Sequence, residues 1–293
     1  MSKLQIITDS CCNLSRETID KLGLEILSLA YIVDGVEKLG YVKGEAFDYD
    51  AFYQVIKSKV PASTSQVTTN QAKEMCEPIL QAGNDIVYIG FSSALSGTYN
   101  AVALALDELK GQYSDRQIFH IDSLAATVGQ GILVIKACEM RDEGKNAAEI
   151  HAWVEANKQK IQHFFTVEDL FYLKRGGRLS AVKAIMGTAL NIKPILTVSL
   201  GGKLIPIGKA KGRKKALETL AEKVVDIDAI ACNKIWVVHT DALEDANYTA
   251  NILREKHKGL EVEVINLEPV VGTHTGPGVA AVIFVGTTER TVQ

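Results

Sequence analysis

The sequence predicts an α/β protein in which a mostly parallel sheet is covered by helices and followed by a second α/β domain. In the first half of the chain, short apolar runs alternate with longer segments of helical periodicity, as in strands joined by crossover helices. After about residue 162 the pattern changes to strand pairs and helix-strand units. We therefore predict an N-terminal domain at residues 1–162 and a C-terminal domain at residues 163–293.

Each element of the first domain has a local signal, either apolar spacing, a capping hydroxyl or a turn sequence. Asp34-Gly35 predicts the turn of a hairpin. The predicted strands are Leu4–Asp9, Leu24–Val33, Val36–Leu39, Asp85–Phe91 and Gln117–Ile121. The predicted helices are Ser15–Leu22, Asp48–Lys57, one beginning near Thr69, one ending near Lys110, Leu124–Asp142 and Ala147–Lys160.

The second domain begins near Phe164 and contains two strand-like runs around a Gly201-Gly202 turn. Two helix-strand units follow and end at Val264–Leu267. The glycine-rich segment Gly272–Gly278 predicts a loop before a last strand, Val279–Val285.

Composition excludes several classes of protein. The chain has 293 residues, a net charge of -3 and 47% hydrophobic residues, which argues against a broad basic face for nucleic acid. Its longest apolar runs are far shorter than the roughly 18 residues of a membrane helix. The N-terminus lacks the apolar stretch of a secretory signal, so we expect a cytoplasmic protein.

Cysteine and histidine spacing gives no sign of a metal or a disulfide framework. The five cysteines form no CxxC pair, and we expect Cys11 and Cys12 to be reduced and buried. The six histidines show none of the local spacings typical of zinc sites. We expect neither a metal nor a cofactor.

Two hydroxyl clusters stand where the chain is about to enter a helix. Such loops at the carboxyl ends of strands favour anions, so together they indicate a carboxylate or phosphate site. The ordinary alternative is that they are helix caps and turn formers. The clusters are Ser63, Thr64 and Ser65, and Ser92, Ser93, Ser96 and Thr98.

A hydrolase is the rival hypothesis, because Gly90-Phe91-Ser92-Ser93-Ala94 approaches the G-x-S-x-G nucleophile elbow. The last glycine is replaced by Ala94, and the helix is predicted to begin after Gly97, too late for that tight turn. The base would be His239 or His274. No phosphate-binding glycine motif is present.

Three further features combine charge with flexible backbone. Arg175-Gly176-Gly177-Arg178 is either an anion-binding turn or a surface turn with solvated arginines. His274 lies among glycines and threonines. A basic run, Lys209 to Lys215, is either a solvated helix start or a docking surface for an acidic partner.

Taken in order, these motifs resemble the DegV family of bacterial fatty-acid-binding proteins. The resemblance covers about residues 3–287 and departs from the family pattern at Cys11, Cys12, Asn13 and Val67. The motifs that carry it are Ile7-Thr8-Asp9-Ser10, Thr64-Ser65-Gln66, Ser92 to Tyr99, Tyr172 to Ser180, and His274-Thr275-Gly276-Pro277-Gly278.

The resemblance implies a Rossmann-like, three-layer N-terminal domain, a smaller C-terminal domain and one long-chain fatty acid, such as palmitate, held between them. Thr64 and Ser96 would bind the carboxylate, with Arg178, His274, Ser65 and Ser93 in the head-group network. The tail would run past apolar residues of the C-terminal domain. These residues are Phe164, Phe165, Leu170, Ile185, Met186, Leu190 and Ile195.

The resemblance also implies a lipid-binding protein rather than an enzyme. Its role would be lipid transport, or presentation of the bound carboxylate to an ATP-dependent fatty acid kinase subunit that makes acyl phosphate. That subunit would dock near Lys209, Lys211 and Arg213. The alternative function is a Ser92-dependent esterase or thioesterase.

Overall fold

The computed structural model describes residues 4–178, 191–228 and 232–292. The chain divides into two compact units. The N-terminal unit comprises Met1–Tyr31, Glu37–Ala46 and Thr64–Lys158. The C-terminal unit comprises Ile32–Val36, Phe47–Ser63 and Gln159–Gln293. A single boundary at residue 162 would assign the two short segments of the second unit to the first.

The N-terminal unit contains a four-stranded parallel sheet of order β2-β1-β6-β7. Its strands are β1 (Leu4–Asp9), β2 (Glu25–Leu27), β6 (Asp85–Gly90) and β7 (Ile118–Asp122). Every residue of β6 is buried, as expected for a central parallel strand covered on both faces. The predicted α/β fold with a parallel sheet and flanking helices is confirmed.

Side-chain caps start three helices of this unit, and Ser15 is the one that the sequence indicated. Ser15 accepts from the Thr18 N–H, and Thr68 and Asn146 each form a capping box. The helices are α1 (Arg16–Leu22), α3 (Thr69–Gln81), α4 (Thr98–Gln112), α5 (Val128–Asp142) and α6 (Ala147–Asn157).

A second, three-stranded sheet has the order β4-β3-β5. Its strands are β3 (Ala30–Val33), β4 (Val36–Leu39) and β5 (Ala62–Ser65). Positive φ angles at Asp34 (51°) and Gly35 (76°) match the turn predicted for the hairpin. The predicted strand Leu24–Val33 is two strands, because the Leu29 N–H leaves the ladder to donate to Ser10 Oγ at 3.1 Å.

The C-terminal unit contains a mixed six-stranded sheet of order β10-β9-β8-β13-β11-β12. β11 and β12 pair in parallel, and the other pairs are antiparallel. The strands are β8 (Ile161–Thr166), β9 (Ile192–Val198), β10 (Leu204–Lys211), β11 (Lys234–His239), β12 (Glu261–Asn266) and β13 (Ala280–Val285). The helices are α2 (Tyr49–Lys57), α7 (Phe171–Arg175), α8 (Arg213–Glu222), α9 (Leu243–Lys256) and α10 (Pro269–Thr275).

The two faces of this sheet carry different apolar cores. On one face, α8 and α9 pack tightly, and Leu217, Leu220 and Leu253 are essentially inaccessible to solvent. On the other face lies a smaller cluster of Phe165, Val167, Leu173, Leu196 and Val279. Successive strand residues point to opposite faces, which explains this division.

The helix α10 corrects the prediction of a loop at Gly272–Gly278. Glu268 accepts hydrogen bonds from the N–H groups of Val270 and Val271, and Pro269 occupies the first turn. These two signals start a helix that continues through His274 and ends before Gly276, whose φ is 72°. The glycine-rich composition masked a capped helix.

Candidate functional site

The loop between β6 and α4 holds the second hydroxyl cluster in a tight turn. The N–H groups of Leu95 and Ser96 both donate to the Ser92 carbonyl, at 3.0 and 3.1 Å. Ser92 and Thr98 are fully buried, whereas Ser93 and Ser96 are partly exposed. The loop therefore presents Ser93 and Ser96, and not Ser92, to the surface of its unit.

Ser96 has the turn-forming role that the ordinary interpretation allows, since the N-cap of α4 is Gly97. Its Oγ accepts from the Thr98 N–H at 3.2 Å and donates to Thr98 Oγ1 at 3.1 Å. A serine oxygen has two lone pairs but one proton, and that proton points to Thr98 here. A ligand carboxylate would have to redirect the Ser96 proton towards itself.

The segment that contains Thr64 and Ser65 runs directly to this loop. Thr98 Oγ1 also accepts from the Val67 N–H at 3.3 Å, and the Gln66 side chain lies so close to Gly97 that a Cβ there would overlap it. Thr64 and Ser65 are both partly exposed at the end of β5. The structure thus brings the two hydroxyl segments together through Thr98 and Gly97.

A buried carboxylate occupies the switch point of the parallel sheet, where β1 and β6 end side by side. Asp9 accepts from the Phe91 N–H at 2.8 Å, the Cys11 N–H at 3.1 Å and the Tyr88 hydroxyl at 3.0 Å. Burial raises the pKa of Asp9, and these hydrogen bonds oppose the increase. In a nucleotide-binding sheet, backbone N–H groups at this position would bind a phosphate. Here the N–H groups of Cys11 and Phe91 bind the Asp9 carboxylate instead.

Residues that sequence reasoning missed lie at the end of β7. Asp122 Oδ1 accepts from the Ser93 N–H at 3.2 Å and from the Leu124 N–H at 3.0 Å. Tyr99, in the first turn of α4, bonds His120 Nδ1 at 3.0 Å. The available signal was position, since Asp122 ends a strand that runs parallel to β6.

The C-terminal unit contains an arginine cluster, which consists of Arg175, Arg178 and the neighbouring His274. Arg175 donates to the carbonyls of Val60 at 2.9 Å and Thr273 at 3.2 Å, while Arg178 donates to the Gly176 carbonyl. The His274 imidazole packs directly against Gly176, where a Cβ would overlap its Nδ1. Burial, together with Arg178 and Arg175, lowers the pKa of His274 to about 4, so the ring is neutral at pH 7.

The predicted site residues therefore fall into two groups, each within one unit. Thr64, Ser65, Ser93 and Ser96 belong to the N-terminal unit. Arg178 and His274 belong to the C-terminal unit. Within each group the structure places the residues close together.

The predicted tail residues divide between the two faces of the six-stranded sheet. Phe164 and Ile195 pack with the core under α8 and α9, whereas Phe165 and Leu170 belong to the smaller cluster. One acyl chain cannot follow a single face and contact all four side chains. Ile185, Met186 and Leu190 lie outside the described residues.

The basic run lies at the end of β10 and the start of α8 and is partly neutralised. Arg213 Nε pairs with Asp245 at 2.8 Å, and Lys215 pairs with Glu222 at 3.0 Å. Lys209 and Lys211 are exposed on β10. Lys214, in the first turn of α8, is also exposed, so positive charge remains on both the strand and the helix.

Other features bear on the remaining sequence hypotheses. Cys11 and Cys12 are buried as predicted, each with 1% of its surface exposed. Ser92 is buried and α4 begins at Thr98, unlike a nucleophile elbow, which exposes its serine on a tight strand-to-helix turn. The Ser92 esterase stays a prediction.

Metal-binding clusters and membrane-spanning helices are both absent from the described residues. No group of three or more His, Cys, Asp or Glu side chains in residues 4–178, 191–228 and 232–292 is placed to hold a metal ion. Within the same ranges, every helix is too short or too polar to cross a membrane.

Comparison with known proteins gives relatives along almost the whole length. A DegV domain-containing protein of Clostridium perfringens is 40% identical over 292 residues, which is 99% of this chain and 100% of the relative. The solved fatty acid binding DegV family protein of Streptococcus agalactiae matches with a TM-score of 0.85 and 26% identity, covering 98% of this chain and 100% of that one. The structure of DegV, a fatty acid binding protein from Bacillus subtilis, matches with a TM-score of 0.82 and 26% identity over the same shares.

A family model described as "Uncharacterised protein, DegV family" matches residues 3–287. The match includes both units and both groups of candidate site residues. This chain is a member of the DegV family.

Proposed function

We propose that this protein binds one long-chain fatty acid, with the carboxylate at the hydroxyl loops of the N-terminal unit. The observation that carries the proposal is the whole-length likeness to DegV proteins solved as fatty acid binding proteins. Thr64 and Ser96 are the carboxylate donors of this proposal. Ser65, Ser93, Arg178 and His274 complete the head-group network.

The loop chemistry supports a carboxylate ligand. Ser96 is partly exposed and shares its proton with Thr98 at 3.1 Å, so rotation of one hydroxyl makes a donor available without moving the backbone. A neutral hydroxyl contributes about 1 kcal/mol per hydrogen bond but fixes where the carboxylate oxygens lie. The hydroxyls would therefore give orientation more than affinity.

The affinity would come from burial of the tail. Each methylene contributes about 0.8 kcal/mol, so ~14 methylenes give on the order of 11 kcal/mol before the cost of ordering the chain. Phe165 and Leu170 are the better candidates for tail contact, because the opposite face of the sheet is filled by α8 and α9. Phe164 and Ile195 belong to that filled core.

The proposed role is presentation or transport of the lipid rather than catalysis by this chain alone. A separate ATP-dependent kinase subunit would phosphorylate the bound carboxylate to an acyl phosphate. Lys209, Lys211 and Arg213 are its proposed docking surface. Lys209 and Lys211 support this best, because Arg213 already pairs with Asp245.

Native mass spectrometry of the purified chain tests the central proposal. We expect an added mass that organic extraction identifies as a long-chain fatty acid, or one that appears after incubation with palmitate. The absence of any fatty acid from both preparations would contradict the proposal.

The combined variant Thr64→Ala and Ser96→Ala tests the carboxylate site. We expect the affinity for palmitate to fall by about tenfold or more, since two donors worth about 1 kcal/mol each are lost. Isothermal titration calorimetry measures the affinity, and circular dichroism checks that the variant is folded. Ser63→Ala is the matched control, because Ser63 is an exposed hydroxyl beside Thr64. An affinity equal to that of the control would remove both residues from the site.

A further inference from the structure

The loop after β7 is held in an unfavourable backbone conformation. Leu124 has a φ of 50° and Thr127 a φ of 52°, in a region that favours glycine and is especially costly for a β-branched residue. Such a conformation is destabilising and persists only where its surroundings hold it. The loop therefore requires specific contacts to keep its shape.

Asp122 supplies the side-chain contact between this loop and residues 91–97, the loop between β6 and α4 that we call the serine loop. Its Oδ1 accepts from the Leu124 N–H within the strained loop and from the Ser93 N–H in the loop that follows β6. One oxygen atom thus fixes two backbone segments. Two backbone bonds run beside it, from Ser123 to the Gly90 carbonyl and from Ser92 to the Ala125 carbonyl, both at 3.1 Å.

The position of Ser96 depends on this arrangement. The Ser96 N–H donates to the Ser92 carbonyl at 3.1 Å, so Ser96 follows any movement of the turn that begins at Ser92. Asp122 holds that turn at the next residue, Ser93. A shift of the turn would also move the Ser96 hydroxyl away from Thr98.

A second contact connects Asp122 to the start of α4. The Asp122 N–H donates to the Tyr99 hydroxyl, which also bonds His120. Burial and the carboxylates of Asp122, Glu155 and Asp107 raise the pKa of Tyr99 to about 12, so this hydroxyl keeps its proton and can donate it to His120. Asp122 therefore contacts both ends of the Ser93 to Tyr99 segment.

We propose that Asp122 is a positioning residue for the carboxylate site: its Oδ1 holds the serine loop against the strained loop and thereby sets the Ser96 hydroxyl. The proposal rests on the proposed function only for the identity of the ligand. Its structural part, the attachment of the serine loop to the strained loop through Asp122 Oδ1, stands on the described hydrogen bonds.

Two substitutions separate the effect of the position of the acceptor atom from the effect of its charge. Asp122→Asn keeps an oxygen acceptor at Oδ1 and removes the charge, whereas Asp122→Glu keeps the charge and moves the acceptor by one methylene. We expect Asp122→Asn to bind palmitate within about threefold of the unsubstituted protein and Asp122→Glu to bind about tenfold more weakly. Asp115→Asn is the control, because Asp115 is an exposed carboxylate that pairs only with its neighbour Arg116 among the described contacts.

Amide hydrogen exchange of the lipid-free proteins gives a readout that needs no ligand. We expect exchange of residues 92–98 to become about tenfold faster in Asp122→Glu, and to stay close to the control in Asp122→Asn. Retention of slow exchange in Asp122→Glu, or equal loss of protection in the two variants, would overturn the proposal. An Asp122→Asn protein that does not fold would overturn it too.

The two proposals fail separately. If the unsubstituted protein binds no fatty acid, the proposed function fails while the exchange result still decides the role of Asp122. If the protein binds palmitate but both Asp122 variants bind and exchange like the control, the role of Asp122 fails alone.

Discussion

The two polar groups of this protein are built in opposite ways. The serine loop of the N-terminal unit is neutral. Its turn is closed by backbone hydrogen bonds between residues close in sequence, such as Ser92 and Ser96, and the Asp122 carboxylate holds that turn at Ser93. The arginine cluster of the C-terminal unit is charged, and Arg175 is held by carbonyls 115 and 98 residues away in sequence. We therefore expect the two groups to differ in how firmly their backbone is held.

Each group packs a side chain against a glycine, which makes the comparison testable. Gln66 covers Gly97 in the serine loop, and His274 covers Gly176 in the arginine cluster. Gln66 is exposed and flexible, whereas His274 sits in a helix among buried residues. We expect the serine loop to tolerate change at its glycine and the arginine cluster to resist it.

The largest expected effect is the pH dependence of His274. Its pKa of about 4 in the folded chain lies below the ordinary 6.5, so unfolding takes up a proton between these values. Stability should fall as the pH drops from 6.5 to 4, by up to about 3 kcal/mol, and this ring should add no further loss below pH 4. Urea unfolding of the native chain and of His274→Gln at pH 7 and pH 4.5 measures the difference.

The His274→Gln chain should lose less stability over that range than the native chain. Proton NMR of the imidazole gives the pKa directly. An imidazole pKa near 6.5 in the folded chain would contradict the prediction that His274 is buried beside the two arginines.

A smaller effect is expected for Gly176→Ala. The added methyl group overlaps the His274 imidazole, which is confined by the helix α10, and overpacking of this kind costs about 1–3 kcal/mol. Thermal unfolding should show a clearly lower midpoint than in Gly177→Ser, which alters the neighbouring glycine where nothing lies within 4 Å. Gly177 has a φ of 73°, so the Gly177→Ser variant is itself destabilised by backbone strain. An unfolding midpoint of Gly176→Ala higher than that of Gly177→Ser would therefore contradict the expected overlap with His274.

The smallest effect is expected for Gly97→Ala. Here the methyl group meets only the end of the Gln66 side chain, which can rotate away into solvent. The free energy of unfolding should change by less than about 1 kcal/mol. A loss as large as that of Gly176→Ala would mean that the serine loop is as tightly determined as the arginine cluster.

The sequence predicted most elements of the N-terminal sheet because their signals are local. Ser15, Thr68 and Asn146 cap helices by contacts within three residues, and the apolar run in β6 is buried as expected. The helix α10 was missed because its glycines suggested a loop, while its start depends on the Glu268 carboxylate. Segments 32–36 and 47–63 were assigned to the first domain because spatial grouping has no local signal.

The same distinction applies to the candidate site. Thr64 and Ser96 were noticed because hydroxyls before helices follow a known pattern, and the family resemblance then gave them the proposed carboxylate role. Asp122 was missed because its proposed role depends on a contact between residues distant in sequence. Its Oδ1 accepts a hydrogen bond from the N–H of Ser93, 29 residues earlier. Phe164 and Phe165 lie on opposite faces of the sheet because successive residues of a strand point to opposite sides. The predicted path of the tail placed both residues along one acyl chain and did not take this alternation into account.

The buried Asp9 has a consequence for ligand discovery. In open α/β sheets, the crevice at the switch point is where a diphosphate usually meets backbone N–H groups. In this chain a side chain of the protein itself already satisfies the N–H groups of Cys11 and Phe91. Nucleotide-like compound collections chosen from the shape of the fold would therefore be a poor starting point for ligand screening, whereas the proposed function favours collections of long aliphatic acids.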